Sequence, residues 1–227
     1  MPARVIVLAG PSGSGKSRLA ERLEHRFGWP TLRLDDFYRD GDEPDLPRIP
    51  EATSSATLVP RQLRAGNAGL VDWDDPGTWH CDNAVGALLE LCRTGATEVP
   101  VYSISESRRT GAQRLDLGGA EVFCAEGIFA PDVVRACRDA GVLEAAYCVT
   151  QHPALTFWRR LTRDLHEHRK PPLVLVRRGL ALARAQREVV RRATDVGCRV
   201  ATGDRAYEEI VAGHAHNGRS SKRGLAR

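Results

Sequence analysis

The chain has 227 residues, of which 33 are basic, 29 acidic and 42% hydrophobic, so its length and composition suit one sizeable α/β domain. Residues 214–227 hold four of the basic residues and no acidic one, which leaves 29 basic residues to balance 29 acidic ones in the rest. The body is therefore neutral, which argues against a nucleic-acid binder. We predict a single domain at 1–213 and a basic, disordered tail at 214–227.

No stretch is apolar and long enough to predict a signal peptide or a membrane span, because the first apolar run leads directly into a glycine-rich loop. The six cysteines are scattered, without CxxC pairs or a compact framework. Together with the nucleotide loop described next, this pattern indicates reduced thiols in a cytoplasmic protein, and neither zinc nor disulfides. The sequence does not determine the oligomeric state, and a homo-oligomer remains an alternative.

The first elements are an apolar strand at 4–9, the loop GPSGSGKS at 10–17 and an amphipathic helix at 16–27. The loop fits the phosphate-binding pattern GxxxxGK[ST] in the strand–loop–helix context that this pattern needs. Its glycines allow turns in which successive N–H groups point at phosphate oxygens. Lys16 is expected to reach the β- and γ-phosphates and Ser17 to bind Mg²⁺. The expected ATP-binding residues are Gly10, Ser12, Gly13, Ser14, Gly15, Lys16 and Ser17.

Later apolar runs alternate with helical patterns, which predicts an α/β P-loop NTPase fold with a parallel sheet and helices on both faces. Strands are predicted at 31–34, 99–103, 120–125, 145–150 and 198–202, and helices near 78–93, 131–140, 153–166 and 173–195. The stretch 39–70 is rich in Pro, Asp, Ser and Gly and is predicted to be a long surface loop.

Acidic residues follow two of these strands. The segment RLDDFYRD ends the strand at 31–34, so Asp35 or Asp36 is a candidate general base or metal ligand, and the alternative is a pair that only caps a loop. Glu126 follows the strand at 120–125 and is a candidate Mg²⁺ ligand. The adjacent Gly127 indicates a close backbone approach at this point.

The segment FWRRLTRDLHEHRKPP at 157–172 is rich in cations and is either a solvated helix face or a mobile lid at about 159–172 that closes over phosphates. A base, a metal-site acid and mobile cations are what a small-molecule kinase requires. The chain contains neither an NKxD nor an LSGGQ segment, which would indicate a guanine-nucleotide switch or a transporter ATPase. A nucleotide-dependent regulatory ATPase remains the alternative from another class.

Taken in order over most of residues 4–172, these segments resemble the uridine kinase family, within the wider group of phosphoribulokinase and bacterial pantothenate kinase. The resemblance implies an ATP- and Mg²⁺-dependent kinase of a small molecule, with the 5′-OH of a pyrimidine nucleoside as the expected acceptor. The alternative acceptor is a non-nucleoside alcohol such as pantothenate or a sugar phosphate.

The resemblance also implies roles for single residues of the catalytic centre. The family's Asp-x-Phe-Tyr pattern falls on DDFY, which implies Asp35 as the catalytic base. AEGIF implies that Glu126 completes the metal site with Ser17 and Asp35. In the lid, Arg160 would contact acceptor hydroxyls and Arg163 the phosphates, and further lid cations would be His168 and Lys170.

For the acceptor pocket, the resemblance implies Tyr38, Asp74 from VDWDDPGTW, and Tyr102 and Arg108 from VPVYSISESRR. Two positions depart from the family. Ser103 stands where the family has Asp, and Glu106 stands where nucleoside kinases have a histidine that contacts the base. Glu106 is expected either to select the acceptor or to pair with Arg108 or Arg109 at the pocket rim.

Overall fold

The computed structural model describes residues 2–49, 69–151 and 187–224. Two short 3₁₀ turns, Leu34–Phe37 and Pro76–Thr78, lie between the longer elements. The helices and strands are β1 (Arg4–Ala9), α1 (Lys16–Phe27), β2 (Thr31–Arg33), α2 (Cys81–Thr94), β3 (Ala96–Ser103), β4 (Arg108–Asp116), β5 (Val122–Glu126), α3 (Ala130–Asp139), β6 (Leu143–Val149), the described part of α4 (187–195), β7 (Arg199–Ala201) and α5 (Gly203–Gly224).

The central sheet has five strands in the order β2-β5-β1-β6-β7. Every neighbouring pair in it is parallel. β1 and β5 lie in the middle and read as nearly continuous apolar runs, as expected for strands that are buried on both faces. The predicted parallel α/β sheet is therefore confirmed.

Side chains of β1 alternate between two hydrophobic cores, one on each face of the sheet. Val5 and Val7 pack into the core that α2 and α3 cover. Ile6 and Leu8 point to the opposite face, where α1 and α5 cover them. The alternation along one short strand therefore shows why both faces of the sheet need helices.

The strand predicted at 99–103 does not belong to the parallel sheet. It is the end of β3, which pairs with β4 in a separate antiparallel hairpin. Of β3, Thr97 and Val99 are buried, whereas β4 is exposed along nearly its whole length. The prediction that 99–103 is a core strand of the main sheet is wrong because only one face of the hairpin packs on the domain.

The basic end of the chain also differs from its prediction. A disordered tail is expected from residue 214, but α5 runs without a break to Gly224. Ala206 and Ile210 on its inner face are buried, and the ring of His214 packs edge-on against Trp29, with ring centroids 4.9 Å apart. These contacts hold the first half of the helix on the domain.

All six cysteines are free thiols, and five of them are buried. Burial raises the pKa of the thiols, to about 12 for Cys124, so they are protonated and unreactive at neutral pH. Among the helices in the described residues, none has the length and apolar character needed to cross a bilayer.

The indole of Trp79, a residue that precedes α2, joins the chain there to the turn after β2. Its Nε1–H donates to the carbonyl of Leu34 at 2.7 Å in a buried setting. Trp79→Phe keeps an aromatic ring but leaves this carbonyl unpaired, so we expect a loss of about 1–3 kcal/mol in the free energy of unfolding, measured by urea denaturation. Trp29→Phe, which removes the same ring volume on the other face of the sheet, is the control and should cost less. Equal losses would show that ring volume and not the hydrogen bond is what matters.

Candidate active site

The loop between β1 and α1 has the backbone shape that a phosphate cradle requires. Gly10 has a φ of 136°, and a Cβ there would lie 2.3 Å from the carbonyl oxygen of Val149. Gly15, the residue before α1, has a φ of 98° in the left-handed region. Both positions therefore need glycine, and the loop leads into the N-terminus of α1, where backbone N–H groups and the helix dipole stabilise an anion.

Two polar side chains lie inside this loop. Lys16 is buried, and its Nζ donates to the carbonyl oxygens of Gly10 at 2.9 Å and of Pro11 at 3.2 Å. The hydroxyl of Ser14 is buried and has no hydrogen-bond partner in the described part of the chain. A concave loop with a lysine cation and an unsatisfied hydroxyl fits a phosphate group. Gly13 and Ser12 complete the turn, and both are at least partly exposed.

Ser17 and Glu126 meet at the opening of the loop. The Ser17 hydroxyl donates to Glu126 Oε1 at 3.1 Å. In the described residues no group of three or more His, Cys, Asp or Glu side chains could enclose a metal ion. An oxygen pair beside a phosphate loop fits Mg²⁺, because this ion takes few protein ligands and completes its octahedron with phosphate oxygens and water.

Glu126 is the buried acid of the site, with 8% of its surface exposed. Burial raises the pKa of its carboxyl, and the nearby Asp35 raises it further, while Lys16 and the Ser17 hydroxyl lower it. Since burial dominates, the carboxylate is under-compensated by the protein alone. A divalent cation at this place would supply the missing positive charge.

Asp35 is held by the backbone of the chain two residues after Glu126. The backbone N–H of Ile128 donates to Asp35 Oδ1 at 2.9 Å. A Cβ on Gly127 would lie 2.7 Å from the same Oδ1 and 2.9 Å from Leu34 Cβ. Only glycine fits there, and the close backbone approach predicted at Gly127 is confirmed.

The neighbouring Asp36 has different surroundings. Its side chain is buried, and Oδ2 lies 3.8 Å from the Nε of Arg33. Burial raises the pKa of its carboxyl, an effect that Arg33 offsets in part. The two aspartates of DDFY thus differ: Asp35 lies near Glu126, whereas Asp36 is buried within the 3₁₀ turn beside Arg33.

Aromatic residues line the side of the site that leads away from the phosphate loop. The ring of Tyr38 lies 5.5 Å from that of Trp73 and 5.8 Å from that of Tyr102, and its hydroxyl donates to the Trp73 carbonyl at 3.1 Å. Burial raises the pKa of Tyr38, and the charges of Asp35 and Asp74 raise it further. Tyr38 is therefore a neutral hydroxyl with Asp35 and Asp74 in its vicinity.

A cleft of about 700 Å³ opens beside Trp73. The tip of the β3–β4 hairpin forms one wall of it, and Asp42, Leu70 and Val71 belong to the rest of its lining. Glu106 and Arg108 are the charged residues that the hairpin contributes. Glu106 accepts a hydrogen bond from the Ser103 hydroxyl at 3.3 Å. The two positions that depart from the resembled family therefore contact each other.

The structure thus brings together Lys16, Ser17, Asp35, Glu126 and Tyr38, all of which were predicted from the sequence. Tyr102 lies beside Tyr38 but donates its hydroxyl to the backbone of Arg39. Arg160, Arg163, His168 and Lys170, and with them the predicted lid at 159–172, lie outside the described residues.

Several residues of the site carry no recognisable sequence signal. The Ile128 amide that holds Asp35 acts through its backbone, and Asp40 accepts a hydrogen bond from the backbone of Arg109, 69 residues further along the chain. Only the structure shows such contacts, because no local spacing relates their partners.

The phosphate loop, the Ser17–Glu126 pair and Asp35 at one edge of a parallel sheet define a P-loop α/β protein with a nucleotide site. A profile of the Phosphoribulokinase / Uridine kinase family matches residues 5–170. The chain belongs to this family, and the predicted family resemblance is confirmed.

Two curated relatives are named uridine kinase. The one from Schizosaccharomyces pombe is 29% identical over 171 residues, which are 72% of this chain and 32% of the relative. The one from Saccharomyces cerevisiae is 29% identical over 164 residues, which are 71% of this chain and 29% of the relative. The chain therefore spans about a third of the length of these relatives.

Solved structures show the same fold. A proposed fructose transport system kinase from Silicibacter sp. TM1040 is 20% identical, with a TM-score of 0.52 over 89% of this chain and 88% of that one. Phosphoribulokinase from Rhodobacter spheroides is 14% identical, also with a TM-score of 0.52, over 85% of this chain and 67% of that one. At these identities the likeness concerns the fold alone.

The buried carboxyl of Glu126 predicts a pH dependence of stability. Because its pKa is raised in the folded chain, keeping it ionised costs folding free energy at pH values above the ordinary value of 4.5. We expect Glu126→Gln, measured without nucleotide or metal, to raise the melting temperature at pH 7, and the difference to vanish below pH 4.5, where the wild-type carboxyl is protonated. Glu21→Gln on the exposed face of α1 is the control and should show no such profile. A destabilised Gln variant at pH 7 would contradict this assignment.

Proposed function

We propose that the protein is an ATP-dependent kinase that transfers the γ-phosphoryl group to a primary hydroxyl of a small molecule, most specifically the 5′-OH of a pyrimidine nucleoside. The observation that carries the proposal is the position of Asp35. Its carboxylate is fixed by the Ile128 amide at the opening of the phosphate loop, next to the Ser17–Glu126 pair. A nucleotide switch has no need of a second carboxylate fixed at this place.

The loop amides and Lys16 would hold the β- and γ-phosphates. Lys16 donates to loop carbonyls in the described structure, so its ammonium is already at the cradle and exchanges carbonyl partners for phosphate oxygens. Ser17, Glu126 and Asp35 would hold Mg²⁺, which, when bound, neutralises charge on the phosphates. Membership of the family supports this use of nucleotide.

Asp35 would act as the general base. It would accept a hydrogen bond from the acceptor hydroxyl, orient its oxygen toward the γ-phosphorus and take its proton as the new bond forms. The hydrogen bond from the Ile128 amide fixes one carboxylate oxygen and leaves the other for the acceptor. Fixing the base in advance avoids its reorganisation during the reaction.

The acceptor would lie between Tyr38 and the cleft beside Trp73. The aromatic rings offer flat apolar surfaces for a base or sugar, while Asp74 near Tyr38 and Glu106 and Arg108 in the cleft lining offer polar groups. Tyr102 would support the floor of this pocket through its contact with Tyr38. The curated uridine kinases support the nucleoside as acceptor.

Arg160 and Arg163, with His168 and Lys170, would form the lid in this proposal. Arg160 would contact acceptor hydroxyls and Arg163 the transferring phosphoryl group. Their closure would exclude water, whose attack on the γ-phosphate would waste ATP.

A panel of acceptors tests the proposed function. ADP release from Mg-ATP is measured with uridine, cytidine, pantothenate, sugar phosphates and no acceptor, and each phosphorylated product is identified by mass spectrometry. The proposal expects slow hydrolysis alone and fast turnover with one class of hydroxyl acceptor. Release that no small molecule stimulates would contradict it and favour a regulatory ATPase.

The two adjacent aspartates give a matched pair of variants. Asp35→Asn keeps an oxygen that can accept from the Ile128 amide but removes the base, so kcat should fall by at least about 10²-fold with little change in melting temperature. Asp36→Asn alters the carboxyl that packs near Arg33 and should change kcat by less than about threefold. Equal losses at the two positions, or a larger loss at Asp36, would overturn the assignment of the base.

Glu106 gives a prediction about the acceptor. An ionised carboxylate only accepts hydrogen bonds, so it suits the amino group of cytosine and leaves the facing carbonyl of uracil unpaired, at a cost of about 1–3 kcal/mol. We expect the kcat/KM ratio to favour cytidine over uridine by at least about fivefold, and Glu106→His to shift it toward uridine. Glu98→His, on the same hairpin but not in the lining of this cleft, is the control and should not shift the ratio. A wild type that prefers uridine, with a ratio that Glu106→His leaves unchanged, would show that Glu106 does not select the base.

A further inference from the structure

The segment after the 3₁₀ turn Leu34–Phe37, residues 39–41, is hydrogen-bonded to the tip of the β3–β4 hairpin, residues 102–109. Three hydrogen bonds make this connection, and none of them belongs to the strand pairing within the hairpin. They run from Tyr102 Oη to the Arg39 carbonyl (3.0 Å), from Gly41 N to the Ser107 carbonyl (2.6 Å) and from Arg109 N to Asp40 Oδ1 (2.5 Å).

The tip needs support of this kind because the strand pairing is interrupted beneath it. The register shifts between Val101 and Tyr102, so that Thr110 is an extra residue on β4. Such a bulge bends the strand and removes regular ladder bonds. Beyond it, only two residue pairs extend the ladder to the tip. The amide of Arg109, next to the bulge, donates to Asp40 instead.

The backbone of Asp40 is itself held by Glu43. Its backbone N–H donates to Glu43 Oε1 at 2.9 Å, and the guanidinium of Arg39 donates to the same carboxylate through Nε at 2.9 Å. Burial raises the pKa of Tyr102 to about 12, and the charges of Asp40 and Glu43 contribute. The Tyr102 hydroxyl therefore stays protonated and donates to this segment at neutral pH.

The fastened tip is the part of the hairpin that lines the cleft beside Trp73. Glu106, Ser107 and Arg108 all belong to that lining. A Cβ on Gly41 would lie 3.1 Å from Ser107 Cβ and 3.7 Å from Trp73 Cζ2, so segment, tip and Trp73 pack in one layer. Displacing the tip would therefore move one wall of the cleft without moving the phosphate loop.

We propose that Asp40 is a positioning residue for the acceptor: its carboxylate, bonded to the Arg109 amide, sets the place of the hairpin tip and so the shape of the acceptor cleft. This inference rests on the proposed function, because it assigns the cleft to the acceptor. Residues 39–41 follow Asp35 by four to six positions in the chain. Their contact with the hairpin tip therefore connects the segment that carries the proposed base to the wall of the proposed acceptor cleft. Asp40 would act through the tip and would not touch the reacting atoms.

Three variants test this role kinetically. Asp40→Ala removes the hydrogen-bond acceptor, whereas Asp40→Asn keeps an oxygen for the Arg109 amide. Asp116→Ala removes a carboxylate that accepts a backbone N–H, that of Gly118, at the far end of the same hairpin. We expect Asp40→Ala to raise the acceptor KM about tenfold, with kcat and the ATP KM within about twofold of wild type. Asp40→Asn and Asp116→Ala should leave the acceptor KM near the wild-type value.

Hydrogen exchange on the full chain gives a readout that does not depend on turnover. We expect amides at 104–109 to exchange at least about tenfold faster in Asp40→Ala and at the wild-type rate in the other two variants. Unchanged exchange in Asp40→Ala, or equal changes in Asp116→Ala, would contradict the claim that the Asp40 carboxylate holds the hairpin tip. Faster exchange with an unchanged acceptor KM, or a loss in kcat alone, would overturn the positioning role. A wild type without any acceptor turnover would instead refute the proposed function, while exchange would still decide whether Asp40 holds the tip.

Discussion

The register of three neighbouring parallel strands is the constraint on which the rest of the site depends. Leu8 of β1 and Arg33 of β2 both pair with Glu126 of β5. The three chains therefore leave the sheet at one level, so the phosphate loop, Glu126 and the turn with Asp35 emerge side by side. A slip of one residue in any pair would turn each of these side chains to the other face of the sheet. The apolar residues that fix this register are thus as necessary to the site as its polar groups.

The polar groups at this edge are held in a state that favours an incoming cation and anion together. Glu126 is buried with less compensating charge than it needs, while Lys16 is occupied by loop carbonyls and the Ser14 hydroxyl lacks a partner among the described residues. The buried charge of Glu126 and the unpaired hydroxyl of Ser14 each cost free energy in the folded chain, and the proposed metal–phosphate ligand would relieve both. The fold therefore stores part of the binding free energy as unsatisfied polar groups.

That the phosphate loop, Asp35 and Glu126 lie at one edge of the sheet could be predicted from the sequence because the signals are local. The spacing of glycines and Lys16 defines the loop, and Asp35 and Glu126 directly follow or end apolar strands. The hairpin could not be predicted, since β4 is exposed and shows no hydrophobic alternation, while Val99 and Val101 in β3 have the composition of a core strand. The helix at the end of the chain could not be predicted from the sequence for a related reason. Its charges suggest a solvated tail, but Ala206, Ile210 and His214 pack on the domain. The proposed role of Asp40 depends on a partner 69 residues away, for which a single sequence contains no signal.

The central claim is that Asp35 receives the hydroxyl of a small molecule while the phosphate loop holds the triphosphate. A crystal structure with Mg²⁺, a non-hydrolysable ATP analogue and the acceptor that gives turnover measures this directly, through the distance from the acceptor hydroxyl oxygen to the Asp35 carboxylate. The account predicts a distance within about 3.2 Å, with the γ-phosphate against the loop amides and Lys16. A hydroxyl bound to another base with Asp35 turned away, or a triphosphate that leaves the loop empty, would contradict it.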